Sequence, residues 1–217
     1  HRGHPAADRH RTPARQARGV TSPLGELPAT FVGSFPDPGV PLDPPLPEIA
    51  FVGRSNVGKS SLLNALTGKA GLARVSATPG KTTLVNVFRL PAFYLIDLPG
   101  YGYARASQSE RQRYHDLLGG YLGRRERLAG VVWLLDLRHP PSKDDLAMQA
   151  LLVSANLATL AVFTKADKFS RAQQLTRERE LAAALGLRQD QVQVVSSRTG
   201  LGIAELGQSI LSAGERA

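Results

Sequence analysis

The chain has 217 residues, about one domain's length, of which 42% are hydrophobic and 21% charged. It contains no cysteine, which excludes a disulfide scaffold, cysteine-ligated zinc or iron–sulfur, and a cysteine nucleophile. The net charge of +9 points toward a polyanionic partner such as nucleic acid or acidic lipid, once that charge is located.

Residues 1–48 hold 10 of the 15 prolines and read as punctuated coil. Residues 1–29 are expected to form a disordered Arg/Pro-rich arm, and 30–217 a single domain. The Arg-rich tip lacks the apolar residues of an amphipathic transit helix, and no secretory h-region is present. Ala29–Phe35 is a short β-prone run able to form an edge strand. Further strands are predicted at Ile49–Val52, Leu84–Leu90, Phe93–Ile96, Gly130–Asp136, Leu157–Phe163 and Gln191–Val195. Helices are predicted at Lys59–Leu66, Ser107–Leu122, Lys143–Ser154, Arg171–Leu185 and Gly202–Ser212. The uncharged window Leu146–Thr164 has the length of a membrane span, but its period changes partway. Leu146, Gln149/Ala150 and Val153 suit a helix, and Leu157–Phe163 a buried strand. The alternation implies a mostly parallel α/β sheet of six strands, with ligands at the strand carboxyl ends. The tight Val87–Phe93 connection adds one antiparallel hairpin at an edge.

Gly53-Arg54-Ser55-Asn56-Val57-Gly58-Lys59-Ser60 fits the phosphate-loop pattern G-x-x-x-x-G-K-S, between a strand and a helix. Its glycines let successive N–H groups converge on phosphate oxygens, and the helix N-terminus adds a favourable field. Lys59 is expected to bridge the β- and γ-phosphates, and the Ser60 hydroxyl to ligate Mg²⁺. Asp97-Leu98-Pro99-Gly100 follows a strand in the right order: Asp97 would hold Mg²⁺ through water, and the Gly100 N–H would sense the γ-phosphate. Between them, the polar loop Ser76–Thr83 can order when a hydroxyl reaches the metal. Thr82 is assigned that role, with Thr83 as the alternative.

Thr164-Lys165-Ala166-Asp167 selects the base. An Asp here accepts hydrogen bonds from guanine N1–H and the 2-amino group, whereas adenine would leave the carboxylate unpaired. The aliphatic stem of Lys165 can cover one base face. Thr164 stands where Asn is usual, which puts in question the hydrogen bond that braces the phosphate loop, though not the guanine choice. Ser196-Ser197 can support the guanine carbonyl by backbone N–H.

Together Gly53–Leu63, Pro79–Thr82, Asp97–Ala104, Asp136–Ser142 and Thr164–Lys168 resemble the EngB/YsxC family, a bacterial branch of the TrmE–Era-type GTPases with organellar relatives. The resemblance spans about residues 30–213, and Thr at position 164 is itself usual in that family. It implies a three-layer Ras-like P-loop G domain that slowly hydrolyses GTP to GDP. The implied role is assembly of the large ribosomal subunit, with relatives also linked to septation and cell division. It further implies Mg²⁺ as cofactor, GTP/GDP and a large-subunit precursor as partners, a monomer without membrane attachment, and the bacterial cytoplasm. The expected nucleotide contacts are Gly53, Arg54, Ser55, Asn56, Val57, Gly58, Lys59, Ser60 and Ser61, then Gly80, Lys81 and Thr82. They continue with Asp97, Leu98, Pro99 and Gly100, and then Thr164, Lys165, Ala166, Asp167, Val195, Ser196 and Ser197. Lys59, Asn56, Thr82 and Gly100 are the candidate catalytic set.

Tyr101 occupies the position of the water-orienting Gln of Ras-like switches, so intrinsic hydrolysis should be poor. Two readings of Asn56 stand: a ligand for K⁺ beside the phosphates, supported by resemblance to the TrmE branch, or a residue that stabilises the loop. Tyr101 and Tyr103, with Arg105, Arg111 and Arg113, either face RNA or divide into a sheet-packed ring and a solvated helix face. His139 is read as structural and Trp133 as core. The alternatives to ribosome assembly are a division switch with a protein effector and no direct ribosomal RNA binding, or an ATP-dependent kinase, which Asp167 disfavours.

Residues 1–48 carry five basic and five acidic side chains, residues 49–130 twelve and four, and residues 131–217 ten and nine. Nearly all the positive excess therefore belongs to the half with the phosphate loop and both switch segments. Arg74, Lys81, Arg105, Arg111, Arg113 and Arg124–Arg127 make an RNA-facing switch side an expectation.

Overall fold

The computed structural model describes residues 21–74, 84–102 and 107–217. Seven strands form one sheet: β1 (Thr30–Phe35), β2 (Glu48–Gly53), β3 (Val85–Arg89), β4 (Tyr94–Asp97), β5 (Leu128–Asp136), β6 (Thr159–Thr164) and β7 (Val192–Val194). Five helices cover it: α1 (Lys59–Thr67), α2 (Gln108–Arg124), α3 (Lys143–Ser154), α4 (Arg171–Ala184) and α5 (Ile203–Arg216). The strand order is β1-β3-β4-β2-β5-β6-β7.

Pairing is parallel from β4 through β7 and antiparallel on both sides of β3. The predicted α/β class holds, with two changes to the sheet. It has seven strands where six were expected, and the reversed strand β3 lies second from the edge. The β3–β4 hairpin leaves the outer ladder of β3 open, and β1 covers it, with Thr30 opposite Arg89 and Phe35 opposite Val85. The β-prone run Ala29–Phe35 is thus the edge strand it was able to form; its pairing with β3, some 50 residues on, is what carries no local signal.

The helix starts are written in short-range chemistry. Ser107 with Glu110, Ser142 with Asp145 and Ser170 with Gln173 form capping boxes at α2, α3 and α4. Period-two alternation then divides the strands between two cores. Ala50, Val52, Val131, Trp133 and Leu135 face α2, α3 and α4. Ile49, Phe51, Val132 and Leu134 face α1 and α5. The central strand β2 is buried along its whole length, as a parallel strand covered on both faces must be.

The coil arm expected to reach residue 29 is shorter at its inner end. A 3-10 turn, Pro23–Glu26, seats fully buried Leu24 against α1 and α5. Proline punctuation concealed a single-residue anchor. The uncharged window resolves into α3 followed by β6, as expected, and among the described residues no helix is long and apolar enough to cross a membrane.

Candidate nucleotide-binding site

Parallel strands that end together deliver their following loops to one edge of the sheet. Gly53, Asp97, Asp136 and Thr164 are the last residues of β2, β4, β5 and β6. The four motifs separated by about a hundred residues of sequence are thereby neighbours.

The phosphate loop turns through Asn56 at φ 63° and Gly58 at φ 106° before α1 begins at Lys59. These left-handed positions suit Asn and Gly, and they turn the loop back over the start of the helix. The loop is stitched to the Asp97–Gly100 segment by backbone bonds. The Ser55 N–H donates to the Tyr101 carbonyl at 2.8 Å, and the Tyr101 N–H to the Gly53 carbonyl at 3.2 Å. Gly100 is required by this approach: a Cβ there would lie 3.0 Å from the backbone of Ser55.

The Lys59 ammonium contacts Oδ1 of Asp97, and the Asn86 amide donates to Oδ2 at 3.3 Å. Asn86 is oriented in turn by the Ser34 hydroxyl, which donates to its Oδ1 at 2.6 Å. A chain across β1, β3 and β4 thus fixes the carboxylate assigned to the metal. Neither Ser34 nor Asn86 was singled out from sequence, because each is a lone polar residue in a strand until register pairs it.

Thr164 braces the phosphate loop. Its hydroxyl lies 2.8 Å from the Val57 carbonyl and 3.2 Å from that of Leu135. The doubt raised by Thr in place of Asn is therefore removed: a hydroxyl at the end of β6 reaches the same kind of backbone acceptor. Lys165, at φ 63°, donates from Nζ to the Asn56 carbonyl at 2.7 Å and pairs with Asp136 Oδ2 at 2.9 Å.

Asp167 accepts from the Ser196 hydroxyl at 2.8 Å. That bond holds its carboxyl below the usual range against the opposing effect of burial, helped by Lys168 and Arg198. The backbone role expected of Ser196 is corrected, since its N–H is committed to the Leu201 carbonyl at 2.9 Å. The Val195 N–H is likewise committed, to Phe163. Of the pair Ser196-Ser197, the proposed backbone role therefore passes to Ser197. Buried Gln174 of α4 steadies the same loop, donating to the carbonyls of Ala166 and Phe169.

Tyr101 is core, with 5% of its surface exposed. Its hydroxyl donates to Asp145 Oδ1 at 2.7 Å and accepts from the Trp133 indole at 3.0 Å. Burial, reinforced by the Asp145 carboxylate, pushes its pKa far above the ordinary phenol value. The partner-facing reading of Tyr101 therefore gives way to the sheet-packed one, and Trp133 is core as expected. Tyr114 of α2 holds the Pro99 carbonyl at 2.9 Å. His139 is exposed. Arg111 and Arg113 are exposed on the first turns of α2. Arg125 is not part of that surface: it pairs with buried Glu48 at the opposite end of β2. Gly80, Lys81, Thr82, Thr83, Tyr103 and Arg105 lie outside the described residues.

Residues 48–165 match the family model of the 50S ribosome-binding GTPases. The "Probable GTP-binding protein EngB" of Gemmatimonas aurantiaca is 50% identical over 167 residues, covering 76% of this chain and 82% of the relative. The protein of that name from Desulfatibacillum aliphaticivorans is 45% identical, covering 84% and 90%. A crystal structure described as a probable GTP-binding protein engB matches with a TM-score of 0.65 at 22% identity, over 78% of this chain and all of that one. Aquifex aeolicus Era bound to GDP and AlF4⁻ matches at 0.60 and 22%, over 76% and 56%. The likeness in those two structures is one of fold.

Proposed function

The chain belongs to the EngB family of GTP-binding proteins, with the P-loop GTPase fold, and from that premise we propose that it acts in assembly of the large ribosomal subunit. The observation that carries this reading is the match of residues 48–165 to a family of 50S ribosome-binding GTPases. The exposed Arg111 and Arg113, on the same helix as the Tyr114 that holds the Pro99 carbonyl, supply charge for an RNA phosphate backbone.

In this reading the phosphates lie on the N–H groups of Asn56 and of Gly58 to Ser60, those of Ser55 and Val57 being bonded to the Tyr101 and Arg54 carbonyls, with Lys59 moving from Asp97 to the β- and γ-oxygens. The base lies between the Lys165 stem and the Asp167 carboxylate, which Ser196 aims. The donor set suits magnesium: the Ser60 hydroxyl and Asp97 carboxylate are hard oxygens, and Mg²⁺ typically takes few protein ligands beside substrate phosphates. Bound there, with Thr82 as a further ligand, it would neutralise charge developing on the β- and γ-oxygens.

Tyr101 has both hydrogen-bonding capacities of its hydroxyl occupied in the core, so it does not orient the attacking water. Hydrolysis is therefore slow until another group assists. We assign that help to the ribosomal partner and to K⁺ near Asn56; equal rates in K⁺ and Na⁺ with the partner present remove the potassium part. The protein is taken to be a cytoplasmic monomer with links to septation.

Co-sedimentation with large-subunit precursors tests the proposal. Association is expected with a non-hydrolysable GTP analogue and is expected to weaken with GDP. Nucleotide-independent or absent association rejects it in favour of a switch with a protein effector.

A further inference from the structure

Asp136 ends β5 in register with Thr164 of β6, which brings its carboxylate beside the base-reading loop. It is held from three directions. The Arg138 Nε donates at 2.9 Å to Oδ1, its NH2 group at 2.8 Å to Oδ2, and the Arg138 backbone N–H at 3.0 Å to Oδ1. The third direction is Lys165, whose ammonium stands 2.9 Å from Oδ2. Two oxygens from different elements therefore grip one lysine: Asp136 from β5 and the Asn56 carbonyl, at 2.7 Å, from the phosphate loop. Arg138 is exposed at its outer side and stops the carboxylate from rotating away.

We propose that Asp136 is a positioning residue for guanine-nucleotide binding, acting through Lys165. The proposal rests on the base-site reading above, in which the Lys165 stem covers one face of the purine. A four-carbon stem on a free ammonium samples many rotamers, and closing it over a base has an entropic cost. With the ammonium fixed at Asp136 and Asn56, the stem is already in place when the base arrives. The gain falls mainly on dissociation, since encounter is governed by the phosphates and their cradle. Burial disfavours the charged carboxylate, yet the bonds from Arg138 and Lys165 keep Asp136 ionised well below the usual carboxylate range.

The test is a double-mutant cycle read by dissociation of a fluorescent GDP. Asp136→Ala should speed dissociation about tenfold with the association rate little changed. In the Lys165→Ala background the same change should add almost nothing, because the residue it acts through is gone. Asp136→Asn, which keeps an acceptor oxygen for the ammonium, should restore part of the loss; this variant carries the cycle if Asp136→Ala does not fold. In an Asp167→Asn background the effect should multiply in full, since Asp167 reads the base edge independently. Multiplication of the Asp136 and Lys165 effects overturns the proposal and leaves the base site standing. Unchanged GDP dissociation in Lys165→Ala overturns both.

Discussion

Thr164 places one hydroxyl between two buried carbonyls, those of Val57 and Leu135. Thr164→Val keeps the shape and removes the donor, leaving the Val57 carbonyl unpaired at a cost of about 1–3 kcal/mol. Urea unfolding should show that loss together with faster GDP release, whereas Thr164→Ser should restore both. Asp167 gives a second residue-scale outcome, in pH. Its folded pKa is depressed, first by the Ser196 hydroxyl. Its contribution is therefore complete above the unfolded value, about 3.9, and is lost only as pH falls through the lower folded one. No Asp167 step should appear in GDP affinity between about pH 5 and 8. Ser196→Ala should raise the Asp167 titration, followed by carboxyl NMR; an unmoved midpoint would falsify the role given to the hydroxyl. At this scale the sequence shows residue types with fixed chemistry. It identifies Asp167 and Lys59 because no other residue serves at those motif positions. It cannot identify Asn86 or Ser34, whose roles exist only once β1, β3 and β4 are in register.

Among the elements, α3 shows most clearly where periodicity stops being informative. Leu146, Ala150 and Val153 form an apolar row at helical spacing, yet Leu146 is 46% and Val153 72% exposed. The buried face is instead Asp145, Met148 and Leu152. Asp145 explains the rotation: one carboxylate oxygen closes the Ser142 capping box and the other receives the Tyr101 hydroxyl. A polar anchor from a different motif thus outweighs two exposed aliphatic side chains. Tyr101→Phe should cost about 1–3 kcal/mol, because it leaves a buried carboxylate oxygen and the Trp133 indole without their partner. The opposite end of the sheet holds a second anchor of this kind. Arg125, just past α2, pairs through Nε with Glu48 Oε2 at 2.9 Å, donates to the Val40 carbonyl at 2.7 Å and stacks on Tyr121. Glu48 is 3% exposed, so Arg125→Ala strands a buried charge and should destabilise by about 3–5 kcal/mol. Adding Glu48→Gln should recover part of that in chemical denaturation, with GDP affinity untouched because the pair lies at the far end of β2.

For the whole molecule, the charge excess of residues 49–130 is divided by the sheet between its two ends. The phosphate loop, Arg111 and Arg113 belong to the carboxyl end of the parallel strands, where α2 begins. Arg124 ends α2 and Arg125 and Arg127 follow it, and Glu48 at the start of β2 marks that region as the amino end. Sequence position grouped all of these arginines as one basic surface, because composition carries no direction; α2 sets Arg111 and Arg113 about 16–20 Å from Arg124 along its axis. If RNA docks beside the switch segments, only the first group neutralises phosphates. Arg111→Glu with Arg113→Glu should then weaken association with large-subunit precursors. It should also flatten the dependence of log affinity on log salt by roughly 0.7–0.9 for each phosphate no longer neutralised. Arg124→Glu with Arg127→Glu changes net charge equally from the other end of the sheet. Screening over about 8–10 Å at physiological salt should leave its effect small. Equal losses from the two pairs would mean that binding follows total charge, and that the basic surface has no preferred face.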